Sequence, residues 1–174
     1  IIPYEPAYRQ AVRDCVYETG FGGQSVAPFF EDRELFVDYI SLYYTDYEPE
    51  SALVPLVDGA PAGYLLGCTD TRCCERVTAR TIRPAIFRNI ILGRYKHIGP
   101  AARRYIFRLI LQAVRHEIIA APVDAYPAHL HIDLFPKYRR MGIGTCLIET
   151  FLERLRKQGI PGVHLVTSSF HKEA

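Results

Sequence analysis

The sequence lacks the features that mark membrane, metal-binding and disulfide-stabilised proteins. Its 174 residues contain no apolar run of about 18 residues, the length that crosses a bilayer, and no secretory signal peptide. The five cysteines are odd in number, Cys73 and Cys74 are adjacent, and none has the spacing of a CxxC or Cys/His zinc motif. We therefore expect a soluble cytoplasmic protein in a reducing compartment, with no metal.

The charge balance is also unremarkable. A net charge of +2 is too small to indicate a nucleic-acid or membrane partner by itself. With 49% hydrophobic and 23% charged residues, the composition is that of a globular protein and not of a disordered one. The length predicts a single domain, residues 1–174, with a sizeable core. Because the sequence starts at Ile1 without Met and stops at Ala174 in what looks like an unfinished element, we expect it to be a fragment.

The front of the chain predicts a strand, two helices and a hairpin. Apolar spacing indicates amphipathic helices over 7–19 and 32–44. Two apolar runs then flank Asp58-Gly59, a pair typical of a β-hairpin turn. Pro55 in the first run indicates an edge or bulged position, because proline cannot donate to a strand ladder.

Residues 72–120 differ from the rest of the chain and predict a basic helical insertion. The stretch 72–117 contains 11 Arg and Lys residues against Glu75 and Glu117. One interpretation is a positively charged wall that attracts an acidic substrate or the 3′-phosphate of a nucleotide. The other is a pair of amphipathic helices that pack on the sheet or on a second subunit, which would make a homodimer possible. A nucleic-acid partner is not predicted, since no stacking or recognition-helix pattern is present.

The last part of the chain predicts a strand, a glycine-containing loop, a helix and a second strand. AHLHIDL (128–134) alternates, with His129, His131 and Asp133 on one face. A helix is expected over 145–157, with Leu147, Ile148, Phe151, Leu152 and Leu155 facing inward, followed by a strand over 163–166. A strand–loop–helix–strand unit favours a parallel or splayed strand pair.

The loop DLFPKYRRMGIG has the chemistry of an anion site. The first N–H groups of a helix lack intrahelical partners, and together with the helix dipole they attract phosphate. Glycine lets the ligand approach the backbone, and Arg139 and Arg140 add positive charge. The loop is neither a GxGxxG fingerprint nor a Walker loop.

The segment RRMGIG (139–144) resembles the [Q/R]-x-x-G-x-[G/A] motif of the GNAT superfamily of acetyl-CoA-dependent N-acetyltransferases. The longer run HLHIDLFPKYRRMGIGTCLIETFLERLRKQGIPGVHLVTSS is similar to that family's strand 4, loop, helix 3 and strand 5. The resemblance implies an α/β fold with a central mixed, mostly antiparallel sheet, splayed at strands 4 and 5, flanked by helices and extended here by the insertion. The HLHIDL run and the insertion also resemble the acetyltransferase-like branch related to bacterial homologues of the O-GlcNAcase C-terminal domain.

The resemblance also implies which residues bind acetyl-CoA. The strand main chain from Ile132 to Leu134 would pair with the pantetheine arm. The backbone N–H groups that would hold the pyrophosphate, with Arg139 adjacent, belong to Arg140, Met141, Gly142, Ile143, Gly144 and Thr145. The acceptor would be a primary amine of a small molecule or peptide.

One departure from the family bears on the chemistry. The family continues after strand 5 with Asn-x-x-Ala and then a Phe-Tyr segment, whose Tyr often protonates the leaving thiolate. Here His171 stands in place of the Asn, and the second segment is absent from the sequence. If the protein ended at Ala174, the role of the general acid would be empty; we expect instead that it comes from residues beyond Ala174.

Asp133 and His131 are the candidates for the catalytic base that takes a proton from the amine, and Asp133 is preferred because it lies immediately before the loop. The alternative is a polar strand face that only orients the substrate. An H-x-H-x-D metal site on this strand is not predicted, because ligands at i, i+2 and i+4 spread over about 13 Å. A nucleophilic role for Cys146, in the first turns of the helix, is a weaker hypothesis. The rival to an enzyme is a degenerate module that binds acyl-CoA or a protein.

Overall fold

The computed structural model describes residues 1–28, 30–95, 98–100, 103–104 and 122–165. Two sequence predictions lie outside these residues. They are the second half of the insertion and the tail that contains His171.

The elements alternate between short strands and helices. The strands are β1 (Ile2–Pro3), β2 (Ala52–Val54), β3 (Leu56–Val57), β4 (Ala60–Pro61), β5 (Gly63–Cys68), β6 (Ala128–Leu134) and β7 (Val163–His164). The α-helices are α1 (Arg9–Thr19), α2 (Arg33–Asp46), α3 (Thr71–Val77), α4 (Arg83–Ile91) and α5 (Ile143–Lys157). Short 3₁₀ turns cover Pro6–Tyr8, Pro49–Ser51 and Pro136–Tyr138, and a π-helical segment covers Thr78–Ile82.

The main sheet has the order β1-β2-β5-β6-β7. All neighbours are antiparallel except β6 and β7, which are parallel. The longest ladder joins β5 to β6 over six residue pairs, from Gly63↔Leu134 to Cys68↔His129. The predicted mixed, mostly antiparallel sheet flanked by helices is therefore confirmed.

The two predicted N-terminal helices are present, with bounds that differ from the prediction by one or two residues, at Arg9–Thr19 and Arg33–Asp46. Pro6 starts a 3₁₀ turn that leads into α1, and Gly20 caps its end. The Asp32 side chain accepts a hydrogen bond of 2.9 Å from the Leu35 N–H and so caps α2. Both helices pack on one face of the sheet, where Val12, Val16 and Val37 are fully buried.

The predicted hairpin is present, and Pro55 divides its first strand. The turn residues Asp58 and Gly59 both have positive φ, 50° and 77°, as a tight two-residue hairpin turn requires. Ahead of Pro55, β2 lies inside the sheet between β1 and β5. Beyond it, β3 pairs with β4 in a separate two-stranded sheet. The proline therefore marks a break and not a sheet edge.

The described part of the insertion is helical, as predicted. Its inner face contributes Cys74, Ile82, Ile86 and Tyr95 to the core that also contains α1 and α2. This packing agrees with the amphipathic interpretation. The helix ends near Gly93, which has a φ of 64°.

Helix α5 covers the opposite face of the sheet. Leu147, Phe151 and Leu155 are buried there against Leu65 and Leu130. Two details of the prediction were wrong. The helix begins at Ile143 and not at Thr145, because the left-handed Gly142 turns the chain into the helix earlier. Ile148 is 37% exposed, since only the narrow i, i+4 stripe touches the sheet.

No helix within the described residues combines the length and the apolar character needed to cross a membrane.

Candidate functional site

The parallel strands β6 and β7 pair over a short stretch within the described residues. Their register contains only Ala128↔Val163 and His129↔His164. Strand β6 continues to Leu134, so most of its edge on the β7 side has no strand beside it within the described residues. This edge of β6, beyond its pairing with β7, is called the strand gap below. The splaying of the two strands stays a prediction, because the residues that follow Leu165 lie outside the described part of the chain.

The main chain of Ile132 and Leu134 faces the strand gap. The Phe135 N–H donates to the Ala62 carbonyl on the β5 side of β6, at 3.0 Å. The Ala128 N–H donates to the Gly162 carbonyl on the β7 side, at 3.2 Å. Because hydrogen-bonding direction alternates along a strand, even-numbered residues of β6 direct their N–H and C=O groups away from β5. The two strand residues predicted to pair with a cofactor thus have main-chain groups at the gap.

The predicted anion loop lies at the end of this gap. Gly142 is the N-cap of α5 in the left-handed region, with φ 77° and ψ −4°, and no side chain caps the helix. The Cys146 N–H donates to the Gly142 carbonyl at 3.1 Å, which is the first hydrogen bond of the helix. The N–H groups of Ile143, Gly144 and Thr145 precede it and therefore have no acceptor within the helix. A Cβ placed on Gly142 would meet no atom within 4 Å. The loop therefore offers open space above a row of donors.

The structure gives the two loop arginines different positions. Arg139 donates from Nε to the Leu134 carbonyl and from Nη2 to the Gly23 carbonyl, each at 2.9 Å. Its guanidinium thus joins the end of β6 to the loop after α1. Arg140 is exposed and has a positive φ of 62°. Of the two side chains, that of Arg140 can move toward an anion without breaking these contacts.

The two predicted catalytic residues share one face of β6 but have different neighbours. Asp133 accepts a hydrogen bond from the buried Tyr64 hydroxyl at 3.1 Å. The His131 ring packs edge-on against Tyr44, with ring centroids 5.4 Å apart. The residue His131 is exposed to solvent. Desolvation, assisted by neighbouring His129, lowers the pKa of His131 to about 4.

A cavity of about 330 Å³ opens beside His131. It is bounded by α2, α3, the π-helical segment, β6 and β7. Its aromatic and apolar walls include Tyr39, Tyr43 and Ile40, with Glu75 and Arg83 among the charged lining residues. Such a cavity can hold the side chain of a small acceptor. Asp133 is not part of its lining.

His129 is held between two hydroxyl groups at the inner end of the cavity. Thr71 Oγ1 lies 2.7 Å from His129 Nδ1, and Tyr44 Oη lies 2.7 Å from Nε2. The Thr71 hydroxyl donates its proton to the Pro127 carbonyl at 2.6 Å. It must therefore accept from Nδ1–H, so that Nε2 keeps a lone pair.

Two cysteines complete this cluster. Cys68, Cys74 and His129 place one sulfur or nitrogen atom each within 4.8 Å of one another. Hydrogen bonding between the two thiols raises the pKa of Cys68, while the bond from Cys68 and the neighbouring His129 lower the pKa of Cys74 to about 6. By contrast, Cys146, for which the sequence offered only a weaker hypothesis of a nucleophile, is exposed on α5 and does not line the cavity.

The sequence did not predict this cluster. Cys68 ends β5, Cys74 lies in α3 and His129 lies in β6. No regular spacing connects three such elements, so only the fold brings them together. The sequence offered one signal for this cluster. The alternation of HLHIDL places His129 on the same face of the strand as His131.

A mixed sheet with a parallel strand pair beside a helix N-terminus, flanked by helices on both faces, defines a mixed α/β fold of the acetyltransferase type. The chain is similar to a solved structure described as "Crystal structure of SsHAT", with a TM-score of 0.74 and 36% sequence identity. The match covers 94% of this chain and 80% of that chain. No family model matches the sequence.

The chain belongs to the same family as SsHAT, whose name marks it as an acetyltransferase.

Proposed function

We propose that the protein is an N-acetyltransferase of the GNAT superfamily, which transfers an acetyl group from acetyl-CoA to a primary amine of a small molecule or peptide by direct attack. The observation that carries the proposal is the strand gap, which ends at the uncapped N-terminus of α5. A second support is the relationship to SsHAT.

The residues at the gap fit an extended ligand with a diphosphate. The main chain of Ile132 and Leu134 would pair with the pantetheine arm. The diphosphate would accept hydrogen bonds from the loop N–H groups of residues 140–145. The open space above Gly142 leaves room for this approach. Bound acetyl-CoA would supply the acetyl group as a thioester.

The protein must also remove a proton from the amine. An alkyl amine is mostly protonated at neutral pH, and its lone pair attacks only after deprotonation. His131 lines the cavity on the side of β6 and is our first candidate to accept this proton, directly or through water. Asp133 lies two residues nearer the loop and remains the second candidate, held in place by Tyr64.

As part of the same proposal, we assign the chain to the branch related to bacterial homologues of the O-GlcNAcase C-terminal domain. Strand β6 with its sequence HLHIDL supports this assignment. The helical segment Thr71–Ile91 provides a second support.

The test is label transfer from acetyl-CoA carrying an isotopically labelled acetyl group to a panel of amines and amine-containing peptides. Mass spectrometry should detect a labelled amide product together with stoichiometric release of free thiol. His131→Gln should lower turnover by about 100-fold or more and leave the acetyl-CoA Kd unchanged, because a base acts on the amine and not on the cofactor. Turnover of Asp133→Asn, measured in the same assay, separates the two candidate bases, because the variant that lacks the base should lose more turnover.

Two results would overturn this function. If the wild-type chain does not bind acetyl-CoA, the proposed acetyltransferase function is wrong. Tight binding without transfer to any amine of the panel would favour the rival function, an acyl-CoA-binding module of the same fold.

A further inference from the structure

We propose that Cys68, Cys74 and His129 form a binding site for Zn²⁺ at the inner end of the cavity. This site is separate from the strand gap, and it does not depend on acetyl transfer. The inference starts from the three potential ligand atoms, which all lie within 4.8 Å of one another.

The spacing of these atoms is close to that of a metal site without its ion. Tetrahedral zinc with about 2.3 Å bonds to sulfur and about 2.1 Å bonds to nitrogen places its ligand atoms about 3.5–3.8 Å apart. A contraction of at most about 1.3 Å would therefore bring the three atoms to bonding geometry. Because the residues come from β5, α3 and β6, the bound ion would join three elements of the fold.

The orientation of His129 fits a ligand role. Its Nδ1–H is directed at the Thr71 hydroxyl, which itself donates to the Pro127 carbonyl. Metal-binding histidines usually donate their second ring N–H to such a partner, which fixes the tautomer and the ring plane. The lone pair on Nε2 now accepts from the Tyr44 hydroxyl at 2.7 Å, and a bound ion would replace that hydrogen bond.

The ligand types point to a thiophilic ion. Two thiols and one imidazole suit Zn²⁺, whereas Mg²⁺ and Ca²⁺ prefer oxygen ligands. Cys68 is fully buried and Cys74 is 8% exposed. Binding Zn²⁺ would release the thiol protons, so affinity should rise with pH.

The fourth coordination position would face the cavity. Cys74, His129 and Tyr44 line the cavity, whereas Cys68 lies behind them. Three protein ligands with one open position are typical of zinc sites that bind water or a substrate atom, whereas structural sites have four protein ligands. The ion would therefore be reachable by a small molecule in the cavity.

The test is a titration of the reduced full chain with Zn²⁺ in competition with a chromophoric chelator. We expect one equivalent to bind. Cys68→Ser and Cys74→Ser should each weaken binding by about 100-fold or more, because each removes a thiolate from the ion. The matched control is Cys73→Ser. Cys73 is adjacent to Cys74 on the same helix but does not belong to the cluster, so this variant should bind as the wild type does.

A second measurement needs no variant. Co²⁺ added to the wild-type chain should give thiolate charge-transfer absorption and the intense visible bands of tetrahedral coordination. The proposal is overturned if wild-type protein with reduced thiols binds neither ion, or if binding persists in both serine variants. Recovery of a Cys68–Cys74 disulfide from protein that binds no ion after reduction would instead identify a redox pair.

Discussion

Replacing Gly142 by Asp tests whether the loop before α5 binds the diphosphate of acetyl-CoA. Gly142 has a φ of 77°, and an added Cβ would meet nothing within 4 Å. The substitution should therefore cost only about 1 kcal/mol of folding free energy, the strain of a short polar residue in the left-handed region. The new carboxylate would stand among the N–H groups that await the anion.

The expected loss of affinity follows from the charge. Two unit charges about 5 Å apart repel by about 3 kcal/mol at an effective dielectric constant of about 20. This energy corresponds to an acetyl-CoA Kd raised on the order of 100-fold. Gly142→Asn has nearly the same shape and backbone preference without the charge, so it should bind much more tightly than Gly142→Asp. Calorimetric titration measures all of these constants.

Gly59 offers a matched control elsewhere in the fold. It has the same φ of 77° and the same lack of neighbours, but it lies in the hairpin turn. Gly59→Asp should lose a similar stability and keep wild-type affinity. If Gly142→Asp and Gly142→Asn bind acetyl-CoA equally well and as tightly as the wild type, the loop is not the anion site.

Three further predictions concern stability and thiol chemistry. Gly67→Ala should reduce the free energy of unfolding by about 1–3 kcal/mol in urea denaturation, because the new Cβ would lie 2.3 Å from Phe151 Cε2. Asp46→Asn should cost roughly 0.5–1 kcal/mol at pH 7, the range for a partly exposed ion pair such as that with Arg9. Cys15 should resist alkylation at pH 8 in native protein and react after unfolding, because burial raises its thiol pKa to about 12.

The pH dependence of the Asp46 prediction has a definite sign. Desolvation by itself would raise the pKa of Asp46, but the hydrogen bond from Arg9, assisted by Thr45, outweighs it and lowers the pKa below its usual value. The contribution of the ionised Asp46 side chain to the free energy of unfolding is thus present above the unfolded pKa of about 4. It is lost as the pH falls further. The difference in free energy of unfolding between wild type and Asp46→Asn should therefore decrease on acidification. A difference that increases would contradict the ion pair between Asp46 and Arg9.

The other two predictions have equally direct contradictions. Unchanged stability of Gly67→Ala would mean that β5 and α5 are not packed as closely as described. Alkylation of Cys15 in native protein, as fast as that of exposed Cys146, would place its thiol outside the core.

The sequence was most informative where the signals are local. The glycines of RRMGIG, the alternation of HLHIDL and the apolar stripe of the following helix each depend on a few neighbouring residues. They predicted β6, the loop and α5 in the correct order. The strand–loop–helix–strand unit favoured a parallel or splayed pair, and the resemblance implied that the two strands part, since no local pattern determines where two strands separate.

Tertiary contacts determined what the sequence could not. The pattern favoured Asp133 over His131 because Asp133 lies immediately before the loop, but of the two only His131 lines the cavity. Arg139 had the charge expected of an anion ligand, yet its guanidinium is bound to the carbonyls of Leu134 and Gly23. Cys68 and Cys74 meet His129 only because β5, α3 and β6 converge.

The most direct test of the central claim is to follow the backbone amide resonances by NMR as acetyl-CoA is added. We expect saturable shifts concentrated in residues 140–145 and in Ile132 to Leu134, with no shift at Gly59. This pattern would place the ligand along the strand gap and on the N-terminus of α5. Absence of saturable shifts, or shifts confined to other parts of the chain, would contradict the account.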